Sequence, residues 1–489
     1  MRGKLFAGCL IKCLVLLLGL GMVTACAGLR DNRCASYRVY QKGTHRISPL
    51  LWGEIWSGVE TDEAVDQPQA PLLVFPAQKS ARLSGLAALD DDVLPPGARI
   101  MEMDGFLRYS ESLGAEPVIT VDFGHALSES VDLNQAANLA AGIVAYCNKP
   151  VGAALPVGTP DWATLRARNG HPEPYGVTYF MLGGDWTRHV KAGPGQDLYA
   201  PSEWIKICIL TFIKKMKNVD ASIQVIINGN GRDRQMLEFA QWRFQDSDIQ
   251  AEADMASLFL PSLDSPVRYL MSDERGQLRF SSPLYPVLQE NRWPLFLMQP
   301  LADRHAFGAA SASSMDRAIA SAGFIHAILR ESETIQLTAC DFESNGVTAG
   351  LSPEARTFAF YREHIGTSRL RQKSSRNPLA APEKLGLSME LGEGGEVGYV
   401  DMVASENNRD LFIHAINRDF AGPRKLNVRL HGLKVADMGL QWLLQEKKEQ
   451  DDSASGALQM SRQTVSLRPG KVQLLLPERS ISLIQVRKR

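Results

Sequence analysis

The sequence lacks the features that mark several large classes of protein. Its 53 Lys and Arg residues are balanced by 54 Asp and Glu residues, so there is no basic surplus to attract nucleic acid or an anionic membrane surface. Its 7 cysteines include no C-x-x-C pair, which excludes the common structural zinc spacings. The run Gly229-Asn230-Gly231 is too short and too poor in glycine for a dinucleotide loop. We therefore expect no metal, no cofactor and no nucleic-acid partner.

No long hydrophobic run is present at the N-terminus either. The apolar run from Cys13 to Ala25 is shorter than the roughly 20 residues that span a bilayer, and it follows three basic residues, as in a secretory signal. It ends in Val23-Thr24-Ala25-Cys26, which resembles a bacterial lipobox. This pattern predicts a signal peptide over residues 1–25 and lipidation of Cys26. The alternative is ordinary cleavage after Ala25 beside an incidental cysteine.

A lipidated Cys26 implies an exported bacterial lipoprotein that is held at the cell envelope by its lipid anchor. Ala27 rather than Asp follows the cysteine, which favours the outer membrane in a cell with two membranes. Residues 26–45 are then expected to form a tether between the anchor and the folded domains.

Helical and strand periods alternate from about residue 100 to 345. The predicted strands are buried apolar runs, and amphipathic helices separate them. The strands are 117–123, 178–183, 223–228, 294–299 and 334–342, and the helices are 133–147, 202–217 and 314–330. This alternation and the chain length predict an α/β fold, a (β/α)8 TIM-type barrel over residues 46–366.

A polar, basic stretch from Arg369 to Pro378 is predicted to cross from the barrel to a second domain. Beyond it the sequence has few helical signals and several short alternating runs between Gly- and Asn-rich turns. These runs are 397–405, 409–417, 425–430, 440–444, 472–476 and 480–486. They predict a C-terminal antiparallel β-sandwich over residues 367–489, with a long solvated hairpin loop at 446–456.

Two runs carry a specific resemblance to a known family. The run Asn169-Gly170-His171-Pro172-Glu173-Pro174-Tyr175 leads into a strand that ends in Gly183-Gly184-Asp185-Trp186, and Gly114-Ala115-Glu116-Pro117 precedes an earlier strand. Both resemble segments of the α-L-arabinofuranosidases of glycoside hydrolase family 51. Weaker similarities extend over nearly the whole mature chain. The resemblance implies a retaining-type barrel, a C-terminal β-sandwich and a plant-type or microbial polysaccharide as substrate class.

The resemblance also assigns the catalytic positions, and both differ from the family. A retaining glycosidase needs two carboxyl groups about 5 to 5.5 Å apart. Asp185 stands at the acid/base position in place of Glu and is one methylene, about 1.5 Å, shorter. Gln299 stands at the nucleophile position in place of Glu, and losing a catalytic nucleophile can cost about 10⁴ to 10⁶ in rate. The nearest acid, Asp303, lies four residues further on.

Other positions of the implied sugar site are altered as well. Lys79 ends a run where the family has Gly-Gly-Asn, Asp122 replaces an Asn, and Phe259 replaces a His. His125 follows a predicted strand and could face the cleft, and Trp186 could stack on a sugar ring. We therefore take these five residues as candidate substrate-binding residues. His171 and Glu173 are expected to be structural loop residues.

The sequence supports three hypotheses about function. The preferred one is a surface-anchored, arabinofuranosidase-like pseudoenzyme that binds polysaccharide and has lost ordinary retaining turnover. The second is an active glycoside hydrolase with a rearranged site, in which Asp185 is the general acid and Asp122 or Asp303 holds a water. Inversion, with carboxyl groups about 6.5 to 9.5 Å apart, would then be expected. The third is an envelope interaction scaffold with no affinity for sugar.

Overall fold

The computed structural model describes residues 33–55, 70–75, 97–121, 126, 132–183, 202–229, 241–259, 270–273, 275, 277–280, 284–298, 313–340, 352–381, 385, 396–446 and 458–489. In chain order the strands are β1 (Cys34–Arg46), β2 (Gly53–Ile55), β3 (Leu72–Val74), β4 (Glu116–Val121), β5 (Tyr179–Leu182), β6 (Gln224–Asn228), β7 (Met255–Phe259), β8 (Leu270–Ser272), β9 (Leu278–Phe280), β10 (Leu295–Met298), β11 (Ile335–Cys340), β12 (Ser368–Arg376), β13 (Leu379–Ala380), β14 (Val397–Gly398), β15 (Val400–Glu406), β16 (Asp410–Asn417), β17 (Arg424–His431), β18 (Val435–Glu446), β19 (Leu458–Ser466), β20 (Lys471–Leu476) and β21 (Ser480–Lys488).

The helices of the described residues begin with a short 3-10 turn, Pro49–Trp52. The α-helices are α1 (Gly97–Leu113), α2 (Leu133–Asn148), α3 (Trp162–Arg168), α4 (Ser202–Val219), α5 (Ser247–Glu252), α6 (Tyr285–Glu290), α7 (Ser314–Arg330) and α8 (Pro353–Glu363). None of these helices has the length and apolar character that crossing a bilayer requires.

Eight parallel strands close into a barrel in the order β10-β11-β2-β3-β4-β5-β6-β7. Their side chains alternate between an outer layer packed against helices and a lumen filled with apolar groups. The lumen side chains include Leu72, Val118, Met181, Ile226, Phe296 and Leu337. Because both faces are buried, the strands read as continuous apolar runs, and the predicted strands end within two residues of the observed ones. The predicted (β/α)8 barrel followed by a β-sandwich is confirmed.

Side-chain caps fix where several helices begin. Asp132 accepts a hydrogen bond from the backbone of Gln135 at the start of α2. Ser313 and Asp316 form a reciprocal capping box at the start of α7, with the Asp316 amide 3.2 Å from the Ser313 hydroxyl. These caps agree with the predicted helix starts at residues 133 and 314.

The second domain is built on a nine-stranded sheet in the order β19-β18-β21-β16-β15-β12-β1-β17-β20. The strand β1 lies inside this sheet, antiparallel to β12 and parallel to β17. This corrects the expected tether over residues 26–45 from residue 34 onward. Alternate β1 side chains, Ala35, Tyr37 and Val39, are buried in the sandwich core. The strand is therefore held by its apolar face, which the tether expectation overlooked.

The basic stretch from Arg369 to Pro378 contains a strand as well as a connection. Most of it forms β12, which pairs with β1 and β15. Leu370 faces the core, and the basic side chains of Arg371 and Lys373 are exposed. The predicted hairpin loop begins at the end of β18, which pairs antiparallel with β19, but its residues after Glu446 lie outside the described part of the chain.

A buried ionic cluster joins the two domains. The Asp401 carboxylate in β15 accepts hydrogen bonds from Arg330, at the end of α7, and from Arg418, whose Nη2 lies 3.0 Å away. The His326 ring of α7 lies 3.6 Å from the same carboxylate, and its Nε2 forms a hydrogen bond of 2.8 Å with the Tyr361 hydroxyl. Burial alone would raise the pKa of Asp401, but the two guanidinium groups hold it well below its usual range.

Two buried histidines lie beside this cluster in the uncharged form. Burial lowers the pKa of His326 to about 4. Burial also lowers the pKa of His414 well below its usual value, and the ring stacks on Tyr361 with a centroid distance of 4.6 Å. Neither ring nitrogen of His414 hydrogen-bonds to a described residue. The junction therefore resists protonation.

Replacing Asp401 with Ala should destabilise the protein strongly. It leaves Arg330 and Arg418 buried without their counter-charge, which costs about 3–5 kcal/mol. Chemical denaturation measures this loss. The matched control is Asp437→Ala, which breaks an ion pair whose side chains are 60% and 58% exposed and should cost less than about 1 kcal/mol. Equal losses in the two variants would contradict the assigned role of Asp401.

Stability should also fall as the pH drops below about 6.5, the unfolded pKa of histidine. In that range His414 becomes protonated in the unfolded chain but stays neutral in the folded protein. The free energy of unfolding therefore falls by about 1.4 kcal/mol per pH unit. We expect His414→Phe to reduce the loss in unfolding free energy between pH 7.5 and pH 5 by about 2 kcal/mol. Comparing the two pH values cancels any packing cost of the substitution. The control is His431→Phe, at an exposed position, which should show the same fall in unfolding free energy as the unaltered protein. The same fall in His414→Phe would show that His414 does not cause it.

Candidate functional site

The carboxyl ends of the eight barrel strands form one rim, because all of the strands are parallel. The predicted site residues follow these ends in sequence. Asp122 and His125 come after β4, Lys79 after β3, Asp185 and Trp186 after β5, and Gln299 directly after β10. These residues lie outside the described part of the chain, as does Cys26. Only the backbone of Phe259, the last residue of β7, is described.

Strand register defines the rim where the two catalytic positions are expected. Met298, the last residue of β10, pairs with Phe259 on one side and with Ala339 of β11 on the other. On the facing side of the barrel, Val121 of β4 pairs with Leu182 of β5. The strands β5 and β10 are the fourth and seventh of the barrel, with β6 and β7 between them on one side. Their ends therefore face each other across the lumen.

Two glycines bring the backbone close together at the ends of β5 and β6. A Cβ on Gly183 would lie 2.6 Å from the Asn228 Cβ, and a Cβ on Gly229 would lie 2.7 Å from the Ser257 carbonyl. The Gly183 amide also donates to the Val121 carbonyl at 3.0 Å. The backbone that leads toward Asp185 is thus held between its neighbours, and only glycine fits there.

The described side chains that face the lumen near the rim are neutral. The Thr120 hydroxyl donates to the Phe75 carbonyl at 2.9 Å, and the Ser257 hydroxyl lies 3.5 Å from the Met181 sulfur. Asn228 is buried against Gly183. Any negative charge in the cleft must therefore come from the residues that follow the strands.

Glu54 on β2 points away from this cleft. Its carboxylate lies 3.8 Å from the Arg362 guanidinium of α8, on the outside of the barrel, while the adjacent Ile55 packs against the lumen residues. Burial raises the pKa of Glu54, and Arg362 opposes that rise. The alternation of side chains along a strand explains why Glu54 faces α8 while Ile55 faces the lumen.

The run that carries the most specific resemblance lies before β5, at the opposite end of the barrel. The Asp104 carboxylate of α1 accepts hydrogen bonds from the hydroxyls of Tyr146 and Tyr175, each at 2.7 Å, and from Arg108 at 2.7 Å. Asn169 donates to the Tyr146 hydroxyl at 3.0 Å. Burial raises the pKa of both tyrosines, and their hydrogen bonds to Asp104 raise it further. This network joins the loop to helices α1 and α2.

The remaining polar residues of the run are also structural. The His171 ring stacks on Tyr175 with a centroid distance of 3.9 Å and lies 3.1 Å from the Glu111 carboxylate. Glu173 contributes its backbone carbonyl to His171 at 2.7 Å. The buried Arg166 donates to the carbonyls of four residues: Tyr146, Lys149, His171 and Pro172.

Two organising residues of this network, Asp104 and Arg166, are not evident from the family-like runs of the sequence. The i,i+4 spacing of Asp104 and Arg108 is a local signal for the first. Arg166 gives no such signal, because its partners are backbone carbonyls of an irregular loop.

Comparison with known proteins relates this fold and these runs to a family. A family model described as the alpha-L-arabinofuranosidase 1 domain matches residues 87–258. The chain is 32% identical over 129 residues to alpha-L-arabinofuranosidase C of Emericella nidulans, which is 26% of this chain and 21% of that protein. The probable alpha-L-arabinofuranosidase C of Aspergillus niger matches at 32% over 129 residues, with the same coverage. The chain spans about a fifth of the length of these curated relatives.

Solved structures match over nearly the whole chain. The alpha-L-arabinofuranosidase of Thermotoga maritima, in an arabinose complex, superposes with a TM-score of 0.63 at 16% identity, covering 93% of this chain and 100% of that one. The family 51 alpha-L-arabinofuranosidase of Bifidobacterium longum gives 0.64 at 15% identity, covering 92% and 99%. A Paenibacillus polymyxa xyloglucanase of glycoside hydrolase family 44 gives 0.59 at 11% identity, covering 94% and 100%.

The parallel barrel with its attached β-sandwich is therefore the fold that these solved glycoside hydrolases share. Among these enzymes the chain resembles the α-L-arabinofuranosidases of family 51, in its sequence over residues 87–258 and in its fold over nearly its whole length. The predicted resemblance to this family is confirmed.

The structural role of the Tyr175 hydroxyl can be tested by mutation. Tyr175→Phe removes a hydrogen bond to a charged group and should lower the unfolding free energy by about 1.5–3 kcal/mol. The control Tyr40→Phe removes a half-buried hydroxyl whose ring stacks on His431, and it should cost less than about 0.5 kcal/mol. Denaturation curves compare the two. A loss in Tyr175→Phe no larger than in the control would contradict the network.

Proposed function

We propose that this chain is an envelope lipoprotein, anchored through Cys26, whose arabinofuranosidase-like barrel binds polysaccharide without ordinary retaining turnover. The observation that carries the proposal is the position of Gln299 directly after β10. In the resemblance this is the nucleophile position, and a carboxamide has no negative charge with which to attack an anomeric carbon or stabilise an oxocarbenium-like transition state.

The register of β10 supports this reading of Gln299. The strand pairs without interruption from Phe296 to Met298 with both of its neighbours. The strand therefore ends at the rim, where a nucleophile would belong, and Gln299 is the next residue in the sequence. Asp303 lies four residues further along and would require the chain to turn back toward the same point.

Binding does not require the missing nucleophile. Asp185 and Trp186 follow β5 in the sequence, two and three residues after Gly183, and they supply an acid and an aromatic ring to the proposed site. An aromatic ring can stack on a sugar, and a carboxylate can accept hydrogen bonds from its hydroxyls. Arabinose-containing or related polysaccharide is the substrate class that the resemblance suggests.

A second function has a specific observation in its favour. Asp122 directly follows β4, and Val121 pairs with Leu182 of β5, so Asp122 and Asp185 follow adjacent strand ends. Two carboxyl groups about 6.5 to 9.5 Å apart could support an inverting mechanism in which one acts as acid and the other as base. This would make the chain an active glycoside hydrolase with a rearranged site.

The two functions are separated by the turnover of an aryl α-L-arabinofuranoside. We expect the unaltered chain and the neutral control Gln299→Asn to give no turnover above background. Gln299→Glu should exceed the control by at least about a hundredfold, because replacing a catalytic nucleophile costs about 10⁴ to 10⁶ in rate and the short Asp185 withholds about a hundredfold of that gain.

Other outcomes assign the remaining hypotheses. Turnover in the unaltered chain that both Asp185→Ala and Asp122→Asn abolish, with inversion at the anomeric carbon, would establish the rearranged enzyme instead. Affinity electrophoresis in arabinan tests binding, which Trp186→Ala should weaken. If the unaltered chain migrates in arabinan as it does in a gel without polysaccharide, the polysaccharide-binding proposal fails and an interaction scaffold is favoured.

A further inference from the structure

Four adjacent strands of the sandwich, β12, β1, β17 and β20, present a basic outer face. Their apolar side chains alternate inward, so the polar ones of the same strands point away from the core. Register places Lys373 beside Arg38, Arg38 beside Arg429, and Arg429 beside Lys471. We call these four exposed residues the cationic row. At about 4.8 Å between strands the row is ~14 Å long.

The cationic row has no counter-charge among the described residues. No Asp or Glu occupies the outward positions of these four strands, and none of the four cations forms an ion pair with a described carboxylate. Like charges directly opposite each other on a sheet are destabilising. Repulsion within the cationic row therefore destabilises the sheet, and a bound polyanion would reduce that repulsion.

A hollow of about 300 Å³ adjoins the cationic row. Its lining includes Arg38 and Arg429 together with the neutral hydrogen-bonding side chains of Ser36, Asn427 and Gln473. The Gln473 amide donates to the Asn427 side-chain oxygen at 3.0 Å, which orients both groups. Amide and hydroxyl groups of this kind can donate to and accept from the hydroxyls of a sugar.

Flat rings lie on the other side of the row. Tyr40 stacks on His431 with a centroid distance of 5.0 Å and an interplanar angle of 17°, and the Arg371 guanidinium lies 5.9 Å from the Tyr40 ring centre. Register places this stack one outward position along from Arg38 and Arg429. The face thus combines charge, hydrogen-bonding groups and a ring surface within a few strands.

We propose that this face binds an acidic polysaccharide, a chain of sugars bearing uronate carboxylates. The carboxylates would pair with the cationic row, a sugar ring would fill the hollow, and the Tyr40–His431 stack would support a neighbouring ring. A hollow lined with hydrogen-bonding groups suits a hydroxyl-rich chain better than the flat surface of a bilayer. The site lies on the sandwich, so it is separate from the barrel rim and goes beyond the function proposed for it.

Affinity electrophoresis of the full chain in polygalacturonate tests the proposal. We expect retardation by polygalacturonate that weakens with added salt, and none by its fully methyl-esterified form, which has lost the carboxylates. Arg38→Gln/Arg429→Gln should weaken retention about tenfold, since each exposed ion pair lost contributes about threefold. Arg38→Lys/Arg429→Lys should keep most of it.

The matched control is Arg409→Gln/Arg462→Gln, which removes the same charge from exposed positions elsewhere on the sandwich. It should retain full affinity. If both double variants lose the same amount of retention by polygalacturonate, net charge alone explains the effect and the proposed site is wrong. Co-sedimentation with phosphatidylglycerol vesicles that needs Arg38 and Arg429, without retention by polygalacturonate, would assign the face to a membrane surface instead.

Binding of polygalacturonate by the sandwich face should not depend on the sugar site proposed at the barrel rim. Arg38→Gln/Arg429→Gln should leave retention by neutral arabinan unchanged, and Trp186→Ala should leave retention by polygalacturonate unchanged. Loss of polygalacturonate retention in Trp186→Ala would contradict a separate site on the sandwich.

Discussion

The buried carboxylate of Asp401 is the interaction on which the arrangement of the two domains depends. It receives Arg330 from the last turn of the barrel helix α7 and Arg418 from the end of β16, in a junction from which water is excluded. A buried ion pair contributes less through its net energy than through the cost of any arrangement that leaves one charge unpaired. If the sandwich docked on α7 in another way, at least one guanidinium would be buried without its counter-charge. Because α7 connects β10 to β11, the same cluster fixes the sandwich relative to the strand that precedes Gln299.

The barrel could be predicted from the sequence because its strands are buried on both faces, as the runs around Ile119 and Phe296 illustrate. The strands β1 and β12 could not. Each has one polar, basic face, and their partners are remote in sequence: Arg38 pairs with Lys373 and Arg429. Composition therefore suggested a tether and a connection, although Tyr37 and Leu370 are fully buried. A strand with one exposed basic face contains no continuous apolar run, so it cannot be predicted from such runs.

The sequence indicates which strands the candidate site residues follow, and the site itself stays a prediction. The run at residues 169–175 matches the family closely, but it acts through Asp104 and Arg166 at the far end of the barrel. Such a network is constrained by packing: two tyrosine hydroxyls and a guanidinium need one buried carboxylate, whether or not the barrel performs chemistry. The residues predicted to be catalytic follow the strands in the sequence, and strand register fixes only where each strand ends. It does not give their side-chain directions, since loop backbone follows no fixed period.

A glycosidase-like barrel can in principle bind sugar without hydrolysing it. Contacts made equally to substrate and transition state give affinity without acceleration, whereas a nucleophile contributes mainly to the transition state. In the function that we propose, Gln299 at the nucleophile position therefore removes turnover and leaves the contacts that give affinity. The described lumen side chains near the rim are neutral, so the packing of the barrel does not depend on a buried charge there. A carboxamide at the position of Gln299 is thus compatible with the fold, and the proposed pseudoenzyme would keep the packing of the family while lacking its nucleophile.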